Sequence, residues 1–357
     1  MNIILLGAGR IGEVISVYLN NRFDLTIVDS SQNNLKKLEN YGKPKKCRIN
    51  NKNNITELIK NYDLVIGCLP GKLGLKTMKA CMENQIDLID LSFMPEDSLS
   101  LDEEAKKNNI TIIPDAGFAP GLSNLFAGRL YQKFDEIDEI GIRVGGLPIK
   151  KKSPLYYKIT WSPHDLISEY IRNARLIKNN EIIEIDPLEI INKVRIKNND
   201  FEEFFSDGLR TLLSTLDISN LWETTLRWEG HLNKIKILRD LNFFNKENLQ
   251  NTLKIISPLM DYESKDFSIM EVIGYGKINN KKREIKYYLY DEEKNGLSSM
   301  SRVTGFTAGI IVETFIKYSD EFENGVIPPE IIGKNKNLHD EIVDKLKQKD
   351  IHIEYIL

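Results

Sequence analysis

The segment Ile-Ile-Leu-Leu-Gly-Ala-Gly-Arg-Ile-Gly, residues 3–12, constrains the fold more than any other part of the sequence. A short apolar run precedes three glycines spaced as G-x-G-x-x-G, and an amphipathic stretch follows them. In a nucleotide-binding βαβ unit the first glycine permits a tight turn, the second lets the backbone approach a pyrophosphate, and the third lets the helix pack on the strand. The helix N-terminus then faces the phosphates with its amide groups. The segment predicts a dinucleotide site formed by Gly7, Gly9, Arg10, Ile11 and Gly12.

Asp29 ends the next predicted strand, 20 residues after Gly9. A carboxylate at that position accepts hydrogen bonds from the adenosine ribose hydroxyls and repels a 2′-phosphate. The following Ser30 and Ser31 add no cation. The sequence therefore predicts NAD as the cofactor and makes NADP the less favoured choice. The alternative is a glycine-rich turn that binds nothing, which the strand, the helix and Asp29 together argue against.

The first third of the chain alternates short apolar runs with helical stretches, which is typical of βαβ units and a parallel sheet. Ligands of such a sheet lie beyond the carboxyl ends of the strands. Two later strand ends therefore add cofactor-contact candidates, namely Leu69, Pro70, Ser92 and Phe93. Pro70 has an alternative role as a simple turn residue.

The pattern changes after about Gly121 to a mixture of strands and helices. Leu155–Trp161 is predicted to be a strand and Gly208–Leu216 a helix, and the alternation in Ser268–Lys277 and Arg283–Asp291 predicts a hairpin. Small and apolar residues at helical spacing in 303–318 predict a helix that returns to the first domain. The fold class is thus α/β, a Rossmann doubly wound parallel sheet (1–122 plus about 298–357) with an α+β substrate and dimerisation domain (123–297).

Composition excludes several function classes. A net charge of -3 and a pI near 6.0 give no electrostatic reason to expect nucleic acid as a partner. The three cysteines show no metal-ligand spacing and favour a reducing compartment, and the four scattered histidines predict no metal site. The apolar run at the N-terminus is too short for a signal peptide or a membrane span, so we expect a cytoplasmic protein without a membrane partner.

Several later segments carry a family resemblance. They are Asp115–Gly121, Val144–Pro148, Tyr157–Pro163, Asp207–Leu212, Glu223–His231 and Ser299–Phe306. Together with the glycine loop they resemble the saccharopine dehydrogenase-like family, and within it the lysine 6-dehydrogenases of archaea and bacteria. The resemblance implies NAD-dependent oxidation of the ε-amino carbon of L-lysine, giving the semialdehyde, piperideine-6-carboxylate and ammonia. It also implies a homodimer or higher homo-oligomer.

Such a reaction needs a group that accepts a proton from the ammonium, because hydride leaves only from a neutral amine. Asp115, after a predicted strand, and Lys158, within an alternating segment, are the catalytic candidates. Asp115 has an alternative role as a helix cap, and Lys158 as a surface lysine.

Substrate recognition needs a cation for the carboxylate and an acid for the ammonium. Arg227 and Arg302 have the guanidinium geometry that suits a carboxylate. Asp207, spaced to share a helix face with Arg210, is another substrate-binding candidate, with a helix cap as its alternative. His231 is a further substrate-binding candidate that could titrate near neutrality, unless it is a hydrogen-bonded structural histidine.

Two other functions are compatible with the sequence. A saccharopine dehydrogenase acts on a related secondary amine, and its pocket needs more than one cation for the extra carboxylates. A non-catalytic, NAD-responsive binding protein belongs to a different class, and the polar motifs of the second domain argue against it.

Overall fold

The computed structural model describes all 357 residues and divides into two compact units. The first unit comprises residues 1–129 and 301–350, and the second comprises 130–300 and 351–357. The chain therefore passes from one unit to the other three times. None of its helices combines the length and the apolar character needed to cross a membrane.

A parallel sheet of seven strands forms the centre of the first unit, in the order β15-β6-β5-β4-β1-β2-β3. The strands are β1 (Asn2–Leu6), β2 (Asp24–Asp29), β3 (Lys43–Lys46), β4 (Leu64–Gly67), β5 (Asp87–Asp90), β6 (Thr111–Ile113) and β15 (Gly325–Val326). Residues Ile3 to Leu6 are completely buried. Continuous burial of this kind is expected where helices cover both faces of a parallel sheet, so the doubly wound class predicted from the sequence is confirmed.

The helices of this unit connect the strands and follow them. They are α1 (Arg10–Leu19), α2 (Gln32–Lys37), α3 (Lys52–Ile59), α4 (Gly74–Asn84), α5 (Asp102–Lys107), α6 (Leu122–Tyr131), α11 (Ser299–Lys317), α12 (Pro329–Lys334) and α13 (Lys336–Lys347). Helices α6 and α11 each begin in one unit and end in the other. The part of α11 that follows Met300 packs against α1, because a Cβ on Gly305 would lie 2.6 Å from Val14 Cβ and one on Gly309 2.7 Å from Tyr18 Cδ1.

A mixed sheet of nine strands forms the second unit. Its strands are β7 (Glu136–Pro148), β8 (Ala174–Lys178), β9 (Glu181–Ile185), β10 (Asn192–Ile196), β11 (Asn199–Phe205), β12 (Asn220–Trp228), β13 (Asp266–Ile278), β14 (Lys281–Glu292) and β16 (Ile353–Ile356). The main path runs β10-β11-β12-β7-β13-β14-β16, and β8 joins β12 and β9. Only the β7–β12 pair is parallel.

Four helices belong wholly to the second unit, namely α7 (Pro163–Glu169), α8 (Leu212–Thr215), α9 (Leu232–Asp240) and α10 (Leu249–Met260). Side chains of α7, α9 and α10 share one apolar cluster with Tyr157 and Phe204. A separate cluster under the sheet contains Leu226, Trp228 and Phe267. The observed α+β composition matches the composition predicted after Gly121.

The β13–β14 hairpin confirms the alternation predicted for it. Its strands pair in continuous register from Phe267–Glu292 to Ile278–Lys281. Asn279 and Asn280 form the turn with φ of 49° and 58°. Two left-handed residues are what a type I′ hairpin turn requires, and asparagine tolerates them better than most residues.

Two other expectations are wrong. Residues 155–161 do not form a strand, although the alternation correctly places Leu155, Tyr157 and Ile159 in the core. The helix predicted over Gly208–Leu216 shrinks to Leu212–Thr215, because Arg210 adopts a left-handed φ of 54°. Asp207 and Arg210 therefore lie in a loop and share no helix face.

The ends of the two units differ from the boundaries expected from the sequence. Residues 123–129 lie with the first unit, where a Cβ on Gly128 would meet Glu330 of α12. Residues 351–357 lie with the second unit, because β16 pairs with β14. The sequence did not predict β3, because its residues are exposed and the stretch around it is polar. The strands β11 and β16 were not predicted either.

Candidate functional site

The glycine loop is built as the spacing predicts. Gly7 follows β1 with a φ of 112°, and a Cβ there would lie 2.3 Å from the carbonyl oxygen of Cys68. A Cβ on Gly12 would lie 2.1 Å from the carbonyl oxygen of Gly7. Both positions therefore need glycine for the fold itself. Gly9 differs, because a Cβ there would meet nothing within 4 Å and its φ is an ordinary -74°.

Gly9 stands at the N-terminus of α1, which begins at Arg10, and no side chain caps that end. Neither packing nor backbone conformation explains a glycine at this exposed position. Close approach of a ligand does explain it, because only a bare Cα lets a pyrophosphate reach the helix amides. The residues present thus fit a dinucleotide, which Gly7, Gly9, Arg10, Ile11 and Gly12 would hold.

Asp29 closes β2 beside this loop. Its Oδ2 accepts the backbone N–H of Ala8 at 2.8 Å, and its Oδ1 accepts that of Ser31 at 2.7 Å. These bonds fix the carboxylate against the loop while leaving a lone pair on each oxygen for a ribose hydroxyl. On the neighbouring strand the exposed Lys46 lies opposite Asp29 in the parallel register. A lysine is therefore the register neighbour of Asp29 on the adjacent strand, which the sequence of β2 alone did not indicate.

The loops after β4 and β5 pack against each other at the same edge of the sheet. A Cβ on Gly71 would lie 2.3 Å from the carbonyl oxygen of Phe93, and one on Gly74 would lie 2.1 Å from Ser92 Oγ. The Ser92 hydroxyl donates a hydrogen bond to the Asp90 carboxylate. The structure thus brings Ser92 and Phe93 next to the turn that contains Leu69 and Pro70.

Asp115 follows β6 at the next strand end and is buried, with a left-handed φ of 50°. The N–H of the adjoining Ala116 donates to the carbonyl of Asp90 at 2.9 Å, so the two strand ends are tied together. Helix α6 begins only at Leu122, and Gly121 occupies the position before it. A non-glycine residue held in the left-handed region costs free energy, and such residues cluster at functional sites.

Arg302 also lies in the first unit, near the start of α11. Its Nη2 donates to the carbonyl oxygen of Lys349 at 2.9 Å, and its guanidinium faces the ring of Phe306 at 5.6 Å. The side chain is buried. These contacts fix the guanidinium in place, and its predicted contact with a substrate carboxylate stays a prediction.

The second unit contains a separate buried cluster of charged and aromatic residues. Its centre is Arg227 on β12, whose side chain is 2% exposed. Arg227 donates from Nη2 to Glu169 Oε2 at 2.7 Å and from Nε to the hydroxyl of Tyr170 at 2.8 Å. Its guanidinium lies 4.8 Å from the ring centroid of Tyr157. Arg227 is thus bound within the protein by an ion pair and by aromatic faces.

Electrostatics in this cluster follow from burial. Burial alone would lower the pKa of Arg227, but Tyr170, Tyr157 and Glu169 together raise it, so the guanidinium stays charged. Burial raises the pKa of Glu169, and the charge of Arg227 opposes that rise. A buried pair of this kind depends on both partners, because either charge alone would be left in a poorly solvating interior.

His231 joins the cluster with both ring nitrogens engaged. Nδ1 lies 2.6 Å from the carbonyl oxygen of Leu155, and Nε2 lies 2.9 Å from the hydroxyl of Tyr170. Burial lowers the pKa of His231 to about 3, and the charge of Arg227 acts in the same direction. The ring is neutral at physiological pH. These contacts favour the structural role over titration near neutrality and over contact with a substrate.

Asp207 lies beside two arginines that the sequence analysis did not select. It accepts a forked pair of hydrogen bonds from Arg175, with Nε to Oδ1 at 2.8 Å and Nη2 to Oδ2 at 3.0 Å. Arg172 Nε lies 3.3 Å from Oδ2. Burial lowers the pKa of Arg172. The charge of nearby Arg210 adds to this lowering, and the charge of Asp207 opposes it. Asp207 thus forms ion pairs with Arg172 and Arg175, which we call the arginine group, and it does not cap a helix.

Lys158 lies in the irregular segment that follows Tyr157 and is half-buried. Its Nζ donates to the carbonyl oxygen of Ser264 at 2.5 Å. Its predicted role as a proton acceptor is untested by these contacts and stays a prediction. Within the second unit, the structure brings Asp207, Arg227 and His231 to one polar region centred on α7 and β12.

Sequence reasoning missed Glu169, Arg172, Arg175 and Glu223. The first three recur at a spacing of three residues, which a search for charges repeated along one helix face would have found. In the structure only Glu169 lies on a helix, because α7 ends there and Arg172 and Arg175 continue into a turn and β8. No group of three or more His, Cys, Asp or Glu side chains is arranged to hold a metal ion.

Family models match nearly the whole chain. The model described as "Saccharopine dehydrogenase NADP binding domain" matches residues 3–113, and "Saccharopine dehydrogenase C-terminal domain" matches residues 117–351. The mitochondrial alpha-aminoadipic semialdehyde synthase of Mus musculus is 26% identical over 202 residues, which are 51% of this chain and 21% of that relative. The matched region thus spans about a fifth of that relative's length.

Two fungal proteins extend the comparison. The "Saccharopine dehydrogenase [NADP(+), L-glutamate-forming]" of Pyricularia oryzae is 22% identical over 271 residues, covering 69% of this chain and 58% of that protein. The solved apo saccharopine dehydrogenase (L-Glu forming) of Saccharomyces cerevisiae has a TM-score of 0.81, with 18% identity and 99% coverage of both chains. The structural likeness establishes the shared fold, and the two family models, one for each part of the chain, establish the family. This chain belongs to the saccharopine dehydrogenase family.

Proposed function

We propose that this protein is a nicotinamide-dependent dehydrogenase that oxidises a carbon–nitrogen bond of an amino acid. The observation that carries this proposal is the position of Asp115, buried at the same sheet edge as the glycine loop and held in a left-handed conformation. The bound nicotinamide would supply the hydride acceptor. The protein must then orient the donor carbon, accept a proton from the donor nitrogen and admit the water that hydrolyses the resulting imine.

Asp115 is the first candidate for that proton transfer, and Lys158 is the second. A carboxylate is able to take the proton of an ammonium directly or through one water, which leaves the neutral amine that hydride departure requires. The Lys158 ammonium already donates to the carbonyl of Ser264 and must lose its own proton before it accepts another. This difference favours Asp115 in the proposed mechanism.

L-lysine, oxidised at its ε-carbon, is the substrate that we propose first, on the motifs quoted above. Saccharopine is the second candidate. A relative that the chain resembles is named as a saccharopine dehydrogenase, and several arginines lie close to Asp207. Saccharopine carries more carboxylates than lysine, and guanidinium groups suit carboxylates. The two substrates therefore differ in their need for guanidinium groups, and the residues that would supply these to saccharopine are Arg172, Arg175 and Arg227.

The substrate assay uses purified full-length protein and follows reduced cofactor by absorbance at alkaline pH. L-lysine, saccharopine and other diamines are offered separately with NAD and with NADP. Turnover of lysine supports the first substrate, whereas turnover of saccharopine alone rejects it in favour of the second. Saturable cofactor binding without turnover of any amine rejects the enzyme proposal and supports an NAD-responsive binding protein.

The variant Asp115→Asn tests the proposed proton transfer. General acid–base catalysis typically contributes about 10²–10⁴-fold, so we expect kcat to fall by at least about 100-fold while cofactor affinity changes little. Direct titration of reduced-cofactor fluorescence checks the affinity. A wild-type kcat in Asp115→Asn would remove Asp115 from the mechanism.

We propose NAD as the cofactor, because backbone hydrogen bonds hold the Asp29 carboxylate at the end of β2, where it would bind ribose hydroxyls and repel a 2′-phosphate. NADP is the second candidate, supported by the description of the matching family model and by Lys46 opposite Asp29. Asp29→Asn should weaken NADH binding and strengthen NADPH binding. Lys46→Ala should weaken only NADPH binding, and a wild-type preference for NADPH would reject our assignment.

The expected homo-oligomer remains a proposal that the resemblance supports. Sedimentation velocity of the full chain over a range of concentrations tests it. A single species at the 41.1 kDa mass of one chain would reject it.

A further inference from the structure

Glu223 on β12 is a buried acid that the proposed mechanism does not use. Its side chain is almost completely inaccessible, and its Oε2 has no hydrogen-bond partner. Its Oε1 accepts a hydrogen bond from Ser206 Oγ at 3.0 Å, and Ser206 in turn accepts one from Thr225 Oγ1 at 2.8 Å. A buried carboxylate with one unpartnered oxygen is costly, so the arrangement suits a neutral carboxylic acid better.

The carboxyl group lies directly against the loop that contains Asp207 and Arg210. A Cβ on Gly208 would stand 1.9 Å from Glu223 Oε1 and 2.5 Å from Oε2. Only glycine permits this approach of backbone to carboxyl group. The loop therefore packs on Glu223, and the position of its preceding residue, Asp207, depends on that packing.

Glu223 also faces the charges of the arginine group. The charged residues around it are Asp207 from this loop, Glu169 at the end of α7, and Arg172 just after α7. Ionisation of Glu223 would place a third carboxylate beside the first two and would compete with Asp207 for Arg172. The ion pairs of Asp207 with Arg172 and Arg175 are thus compatible with a neutral Glu223 and disturbed by an ionised one.

We propose that Glu223, in its protonated form, is a positioning residue that holds the Asp207–Arg210 loop and the Arg172–Asp207–Arg175 ion pairs in their binding geometry. Loss of its proton weakens that geometry. The kinetic part of this inference rests on the proposed function, in which these arginines recognise a substrate carboxylate. The conformational part stands on the contacts of Glu223 alone.

The pH range follows from burial. Burial raises the pKa of Glu223 to about 8, although the hydrogen bond from Ser206 opposes the rise. In the unfolded chain the same group ionises near its ordinary value of 4.5. Between these two values the folded state binds more protons than the unfolded state, so stability falls as pH rises and levels off above about pH 8.

Thermal unfolding of full-length Glu223→Gln against wild type from pH 4.5 to 9 tests the conformational part. Glutamine mimics the neutral acid, so the two proteins should have similar Tm values near pH 4.5. The variant should become progressively more stable than wild type as pH rises to about 8, and the difference should then stay constant. A Tm difference that does not change with pH would overturn the proposal.

Two further variants serve as controls. Glu203→Gln removes a buried carboxylate that already binds Arg143 Nε and Thr224 Oγ1, each at 2.8 Å, so it should be less stable than wild type at neutral pH. Ser206→Ala removes the hydrogen bond that lowers the pKa of Glu223, so the pH at which stability stops falling should be higher than in wild type. This variant also provides the test if Glu223→Gln fails to fold. Stability that stops falling at the wild-type pH in Ser206→Ala would then count against the proposal.

The kinetic part of the inference is tested by steady-state kinetics with the amino acid that proves to be the substrate. The KM of wild type for that amino acid should rise about tenfold above pH 8, which corresponds to a loss of about 1.4 kcal/mol, while the KM of Glu223→Gln stays flat. The same alkaline rise in both proteins would overturn the assignment. If no amine is turned over, the proposed function fails, and the thermal measurements still decide whether Glu223 acts as a protonated positioning residue.

Discussion

The glycine loop of the first unit and the polar cluster of the second unit are built in different ways. The loop occupies consecutive residues, and its geometry comes from backbone contacts at Gly7 and Gly12 together with an open position at Gly9. The cluster collects side chains from α7, the turn after it, β8, β12 and the loop before α8. One site is therefore encoded locally in the sequence, and the other exists only after the chain has folded.

This difference changes what a substitution should do. In the loop, the residues that hold the fold and the residue that admits the ligand are separate positions. In the cluster, the same ion pairs hold the fold and supply the cations that we propose for recognition, as at Arg227 and Asp207. The loop should therefore allow stability and binding to be varied independently, whereas the cluster should not.

The largest expected effect is the loss of Arg227. Arg227→Met leaves Glu169 buried without its partner, and breaking a buried pair in this way typically costs about 3–5 kcal/mol of stability. Denaturant unfolding measures this change. The double variant Arg227→Met with Glu169→Gln should recover part of the loss, and the exposed pair of Lys193 and Glu229 offers a control whose removal should leave the unfolding midpoint unchanged.

A matched pair of loop variants gives the next effect. Gly12→Ala places a Cβ 2.1 Å from a backbone oxygen, and overpacking of this kind costs about 1–3 kcal/mol. Gly9→Ala meets no atom within 4 Å in the protein, so stability should change little while affinity for reduced cofactor falls at least about tenfold, or about 1.4 kcal/mol. Equal loss of stability in both variants would contradict the division of roles within the loop.

Acidification should test the neutral histidine of the cluster. The folded-state pKa of His231 is about 3, below its ordinary value of 6.5, so the unfolded chain takes up the proton first. Stability should fall as the pH decreases from 6.5, by about 2 kcal/mol at pH 5. The slope should be smaller in His231→Gln and unchanged in a variant of the exposed His352. A wild-type slope in His231→Gln would show that the ring is not held neutral.

The smallest effect should come from Lys158. Lys158→Met removes one half-buried hydrogen bond to the carbonyl of Ser264, for which about 1 kcal/mol is typical. If Asp115 accepts the proton, kcat should fall less than about tenfold, far less than in Asp115→Asn. A larger fall in the kcat of Lys158→Met would indicate that Lys158, in the second unit, accepts the proton instead of Asp115.

The sequence predicted the parallel sheet, the glycine loop, Asp29 at the end of β2 and the β13–β14 hairpin, because each depends on local periodicity or on a turn with fixed residue requirements. It did not predict the short edge strand β3, whose four residues are all exposed and give no apolar pattern. Residues 155–161 have the alternation of a strand, but the alternation encodes burial of side chains and does not specify a hydrogen-bonding partner.

The candidate residues divide along the same line. Those defined by strand ends, such as Ser92 and Asp115, fall at the predicted sheet edge. Asp207 and His231 were selected as substrate-binding candidates, yet the residues that they contact, Arg175 and Tyr170, lie 32 and 61 residues away in sequence. Spacing within a segment carries no information about such partners, and Glu223 was missed for the same reason.

The three passages of the chain between the units have a consequence for the order of synthesis. The strand β15, which completes the sheet of the first unit, leaves the ribosome only after all of residues 130–300. The strand β16, which pairs with β14 in the second unit, is made later still than β15. Neither sheet is therefore able to reach its full strand complement until the ribosome has passed β15 or β16, each of which follows all the other strands of its own sheet.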